Sequence, residues 1–132
     1  MIKRITLLIF AALLFSAGVA TVSAQKWESL GSKEVKDRSE QDTWHLGAGK
    51  GQFRKLKLTV QSRPVRFYKL VVTYGNGEKQ EFEIRNLIRA GGETRALDLD
   101  GKDRHISKVD VWYEAATARR GVRSQVTLHG LK

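Results

Sequence analysis

A chain of 132 residues with no cysteine offers few places for chemistry, and each can be read in turn. His45, His105 and His129 stand apart. No His-x-x-x-His or Glu-x-x-His pair sets two ligands on one face, so the spacing gives no metal centre. Without cysteine there is no thiolate nucleophile, and no Gly-x-Ser-x-Gly elbow presents a serine. Gly47-Ala48-Gly49-Lys50-Gly51 has the composition of a phosphate loop. No Ser or Thr follows its lysine, however, and no helical pattern follows the loop, so a strand connection is the plainer reading. Asp98-Leu99-Asp100-Gly101-Lys102-Asp103 resembles a calcium loop only in part. Its glycine comes too early and no bidentate glutamate follows; Asp-Gly between alternating apolar strands is a turn signal. Nothing selects a catalytic pair from the 14 acids. No catalytic residue, metal or cofactor is therefore expected, and the chain reads as a binding protein before an enzyme.

Charge is more informative. Between Ala48 and Leu70 lie seven basic residues and no acid: Lys50, Arg54, Lys55, Lys57, Arg63, Arg66 and Lys69. If the strand beginning at Gln52 pairs with the one beginning at Val65, then Lys55, Lys57, Arg66 and Lys69 form one basic patch suited to an anionic partner. The plainer alternative is a solvated face whose cations pair across strands with Glu81 and Glu83. Trp112 supplies the aromatic candidate. It shares strand parity with Asp110 and opposes Val109, Val111 and Tyr113, which points it outward as a stacking platform unless another segment covers it. Trp27 and Trp44 read as core. The aromatic motifs of single-stranded RNA binders are absent, which argues against nucleic acid.

The elements that must position these residues begin after a leader. Met1 to Ala24 has a Lys3-Arg4 head, an apolar run from Ile5 to Phe15 and a Val22-Ser23-Ala24 end, the pattern of a secretory signal peptide cut after Ala24. A retained anchor is the alternative reading. Nothing further along is long and apolar enough to cross a bilayer. Residues 25–132 then form one domain, with 22 basic against 14 acidic side chains and a formal charge of +8 once the two leader cations are removed.

That domain reads as short alternating strands. Its centre is Arg66–Asn86, where Tyr68, Leu70, Val72 and Tyr74 on one arm face Phe82 and Ile84 on the other. A two-residue Asn76-Gly77 turn would put Leu70 opposite Glu83. A three-residue Gly75-Asn76-Gly77 loop puts Leu70 opposite Phe82 and Tyr68 opposite Ile84, keeping the apolar set together. Val65, Phe67 and Val71 make the first arm apolar on its second face as well, which predicts a central strand. Leu56, Leu58 and Val60 face inward along a strand over Gln52–Gln61, with Phe53 and the lysines opposite. Ser62-Arg63-Pro64 turns the chain. In Arg104–Tyr113, Ile106 falls on one parity and Val109, Val111 and Tyr113 on the other, which predicts a bulge near Ser107-Lys108. Trp27–Val35, broken at Gly31-Ser32, Asp42–Leu46, Arg95–Asp100 and Val122–His129 supply the remaining strands, and 115–121 a loop. The fold expected is all-β, an antiparallel sandwich of about eight strands, jelly-roll-like or immunoglobulin-like.

The series Trp27…Leu30-Gly31, Gly51-x-Phe53, Leu56-x-Leu58-x-Val60, Tyr74-Gly75-Asn76-Gly77, Leu97-Asp98-Leu99, Arg104-x-Ile106-x-x-Val109 and Val126-x-Leu128-x-Gly130 resembles small secreted bacterial β-sandwich domains of unknown function. The resemblance implies a sandwich in the envelope or medium and carries no active site. The function expected is a non-catalytic module in the periplasm or outside the cell. It would bind an anionic polymer, a carbohydrate or an envelope protein through Lys55, Lys57, Arg66, Lys69 and Trp112. A small secreted hydrolase or inhibitor, or a structural protein pairing by strand addition, are the alternatives. Nothing in the sequence fixes the oligomeric state.

Overall fold

The computed structural model describes residues 26–35, 40–116 and 123–132. The leader, residues 36–39 and most of the 115–121 stretch read as a loop lie outside the described residues. Among the described residues nine strands follow in order: β1 (Trp27–Val35), β2 (Glu40–His45), β3 (Gln52–Phe53), β4 (Lys55–Gln61), β5 (Val65–Tyr74), β6 (Lys79–Ile88), β7 (Leu97–Asp98), β8 (Arg104–Ala115) and β9 (Ser124–Leu131). They form two antiparallel sheets. The first runs β1-β9-β4-β7; the second runs β2-β8-β5-β6, with β3 also on β8. The inward faces of both sheets meet in one apolar core that includes Phe53, Leu58, Phe67, Leu70, Val111, Tyr113 and Leu128. The all-β sandwich read from the sequence is the fold observed.

The central hairpin has the expected register. Leu70 lies opposite Phe82, and Tyr74 N–H donates to Glu78 O at 2.8 Å around a Gly75-Asn76-Gly77 loop. Gly77 takes φ +89°, the left-handed conformation that closes a loop of this kind and that a side chain disfavours. The bulge on β8 is also present: Thr73 faces Lys108 while Tyr74 faces Ile106, so Ser107 is the extra residue.

Four expectations are corrected. First, β4 and β5 do not pair. The short Ser62–Pro64 connection carries the chain from one sheet to the other, and Arg63 is buried within it. Second, Gln52–Gln61 is not one strand. The chain changes sheets at Arg54, which resets side-chain parity and drops Phe53 into the core at 0% exposure. Third, Tyr68 leaves the inward row. Phe67 faces Tyr113 and Lys69 faces Trp112, so Tyr68 is an extra residue on β5. On the other flank Phe67 faces Asn86 and Lys69 faces Glu83, so two β6 residues, Ile84 and Arg85, oppose Tyr68 alone. The two bulges lie side by side, and Arg85 takes φ +43° there. Val65 and Phe67 therefore join Leu70, Val72 and Tyr74 in the same core, and β5 is central because β8 and β6 flank it. Fourth, Trp27 is half-buried outside the core, whereas Trp44 is enclosed and its indole N–H donates to Gly31 O at 2.9 Å.

Candidate functional site

The paired bulges produce the site. An alternating strand shows every second residue to solvent; a bulge lets consecutive residues point the same way. Tyr68 is thereby turned out beside Lys69, with Arg66 on the same outer face. Across the second sheet the rows read Glu114–Arg66–Leu87 and Gln41–Trp112–Lys69–Glu83. Tyr68, Lys69, Glu83, Arg85 and Trp112 surround a depression of about 280 Å³. Tyr68 and Leu87 are the large exposed hydrophobics among the described residues, at 39% and 43%, and both lie on this face. Trp112 is half-buried between them and β2.

Each charge here has a definite environment. Lys69 Nζ sits 4.5 Å from the Trp112 ring centroid and 3.7 Å from Glu81 Oε1. Arg85 Nε pairs with Glu83, and the Tyr68 hydroxyl donates to Glu114. That hydrogen bond is the main reason the Tyr68 phenol titrates above its ordinary range. Arg66 has no ion-pair partner among the described residues. Exposed ion pairs contribute only about 0.2–1 kcal/mol, and an exposed ammonium over an indole about 0.5–1. A ligand offering a carboxylate and a flat apolar face can therefore displace Lys69 from Trp112 at small cost.

The five residues singled out from sequence fall on two surfaces. Arg66, Lys69 and Trp112 come together on the second sheet, where Lys69 pairs with Glu81 as the solvated-face alternative anticipated. Lys55 and Lys57 lie on the far side of the molecule, on the first sheet. There Lys55 meets Asp98 at 3.5 Å, and Lys57 meets Glu93 at 3.1 Å with its Nζ 4.4 Å from the Trp27 ring. The single patch expected from β4–β5 pairing does not form. Sequence reasoning missed Tyr68, Arg85 and Leu87. The signal for Tyr68 was present, since Val65-Phe67 and Leu70-Val72-Tyr74 break parity just as Ile106 and Val109 do.

Among the described residues no three acidic or histidine side chains gather where a metal could be held, and no helix is long and apolar enough to cross a membrane. The histidines stay apart. His129 accepts or shares a hydrogen bond with Thr59 Oγ1 at 2.9 Å, and burial followed by the nearby Lys57 charge lowers its pKa below the ordinary imidazole value.

Fold and surface define an antiparallel two-sheet sandwich with an aromatic and charged depression on one outer face. The chain belongs to the family described as Domain of unknown function (DUF2541), which matches residues 6–130, in keeping with the resemblance read from the sequence. No curated protein matches it. Among solved structures it is similar to a chain from "Structural and functional characterization of Pseudomonas aeruginosa AlgX", at 19% identity and TM-score 0.49. That match covers 82% of this chain but only 26% of that one. It is also similar to the SPBc2 prophage-derived protein YomS, at 16% identity and TM-score 0.44, covering 85% of this chain and 100% of that one.

Proposed function

We propose that this chain is a non-catalytic, exported binding module that holds an acidic carbohydrate of the cell envelope on the outer face of its second sheet. One observation carries the reading: the paired bulges turn Tyr68 out on the face where Trp112 is half-exposed, and these two aromatic side chains line one depression with Lys69, Glu83 and Arg85. Aromatic rings stack on the apolar faces of sugars, while cations and carboxylates at the rim hydrogen-bond hydroxyl and carboxyl groups. The local acids Glu81, Glu83 and Glu114 are each already engaged, and the net positive charge of the domain draws a polyanion in.

Calorimetric titration with polygalacturonate, with neutral dextran as contrast, tests this. Binding to polygalacturonate is expected, with Trp112→Ala and Lys69→Glu each weakening it about tenfold or more, roughly 1.4 kcal/mol. Trp112→Ala binding as tightly as the parent would sink the site. Loss of 24 residues from the exported protein, read by mass spectrometry, checks the leader.

A protein partner is a second reading, favoured by Leu87 and Tyr68 both standing exposed on a face that also carries Arg66 and Trp112; tyrosine, tryptophan and arginine are the types enriched at interface centres. It would dock on the face, not by strand addition at β6. Arg95 Nη2 donates to Glu83 O at 2.8 Å, and Gln80 bridges to Asp98 O and Asp100 N, which occupies that edge. Failure to bind polygalacturonate would favour this reading over the carbohydrate.

A further inference from the structure

At the end of the sandwich the β5–β6 turn, the start of β8 and the short β3 border a larger, open cleft of about 530 Å³. That is the size of a small-molecule site, and it is nearly twice the depression on the sheet face. It shares no lining residue with that depression. We infer that this cleft is a separate site for a neutral, hydroxyl-rich ligand of mono- or disaccharide size.

A row of the second sheet ends in glycine at this cleft. Gln52 pairs with His105 across β3 and β8, and Gly75 N–H donates to His105 O at 2.9 Å on the other flank. Gly75 lines the cleft directly against His105: a Cβ built there would meet His105 Cβ at 3.4 Å and His105 O at 3.8 Å. The floor is Arg104 laid on Tyr74, with the guanidinium carbon 3.8 Å from the ring centroid. Arg104 is held further by Asp100 O at 2.9 Å and Glu78 Oε1 at 3.2 Å. Asn76 is fixed as the turn wall, since its Oδ1 accepts from Glu78 N–H at 3.0 Å.

The floor and the turn wall are thus set before any ligand arrives, and the ordering cost falls on the contacting side chains alone. The groups left to meet a ligand are of both hydrogen-bonding kinds. Among the described residues the side chains of Gln52 and His105 have no partner, and Asp103 reaches Arg54 only at 4.0 Å. Amide, imidazole and carboxylate together can donate to and accept from adjacent hydroxyls. Glu78 and Asp103 offset the Arg104 charge, so the cleft has no excess of cations to select an anion. That separates its ligand class from the acidic sugar proposed for the sheet face, and the two sites can fail independently.

The test is an amide-shift titration of isotopically labelled protein with cellobiose, maltose and N,N′-diacetylchitobiose, each run separately. At least one is expected to shift Asn76, Asp103 and His105 with a dissociation constant of about millimolar, the weak range of a small open site. Asp103→Ala and Gln52→Ala, both exposed and outside the core, are expected to weaken that binding at least several-fold. Trp112→Ala should leave it unchanged. The inference is overturned if none of the three disaccharides shifts these amides, if the shifts survive Asp103→Ala undiminished, or if they vanish in Trp112→Ala.

Discussion

All three tryptophans have a lysine ammonium over the ring: Lys33 on Trp44, Lys57 on Trp27 and Lys69 on Trp112. The contacts differ in consequence. Trp44 is enclosed and its lysine only caps it, whereas Trp112 is half-buried and its lysine can be exchanged for a ligand. Beside Lys57, His129 gives a pH signature. Burial and the Lys57 charge favour its neutral form in the folded state, so between its lowered pKa and the ordinary value of 6.5 the unfolded chain binds more protons. Stability then rises with pH in that window, is fully present above it, and is lost as pH falls through it. Urea midpoints at about pH 7.5 and about pH 5.5, on either side of the ordinary imidazole range, should fall further for the parent than for His129→Gln. Equal falls would show that His129 does not contribute.

At the scale of elements, the molecule depends on places where strands depart from alternation. Bulges at Tyr68, Arg85 and Ser107 keep apolar residues inward while turning Tyr68 and His105 to solvent, next to the two sites proposed. The sheet switch at Arg54 has a counterpart in β9. Phe53 enters the core over Gly130, where an added Cβ would lie 2.5 Å from Phe53 Cδ1 and 3.0 Å from Leu30 Cδ1. Gly130→Ala is therefore expected to cost about 1–3 kcal/mol by overpacking, read as a lower urea midpoint. Phe53→Leu in the same chain should recover part of the loss, because the clash is with the ring edge. A Gly130→Ala protein as stable as its parent would mean that the ring does not lie against that backbone.

For the whole molecule, the sheets divide the positive charge between two faces. Lys55 and Lys57 belong to one, Arg66 and Lys69 to the other, and most of these cations lie near an acid. A polysaccharide on the second sheet should accordingly bind with only modest salt sensitivity, and Lys55→Glu/Lys57→Glu should change its affinity less than Lys69→Glu does. Equal losses from the two variants would indicate diffuse attraction to the whole basic domain and no defined face.

Local pattern in the sequence was enough for most of the strands, for the Leu70–Phe82 register and for the extra residue at Ser107, but not for the break at Arg54. Each follows from side-chain alternation within a few residues, and burial of one face enforces it. It also made Lys69 and Trp112 candidates from their types and parity. Which strands became neighbours was decided only in three dimensions. A short connection between two strands can make a hairpin or a crossover between sheets, and Ser62-Arg63-Pro64 makes the crossover because Leu56, Leu58 and Val60 pack on one side of the core and Val65 and Phe67 on the other. That choice separates Lys55 and Lys57 from Lys69. The register of β5 against both of its neighbours places Tyr68 and Arg85 beside Trp112. Registers across a sheet are set by packing among strands distant in sequence, so the site became visible only in the folded chain.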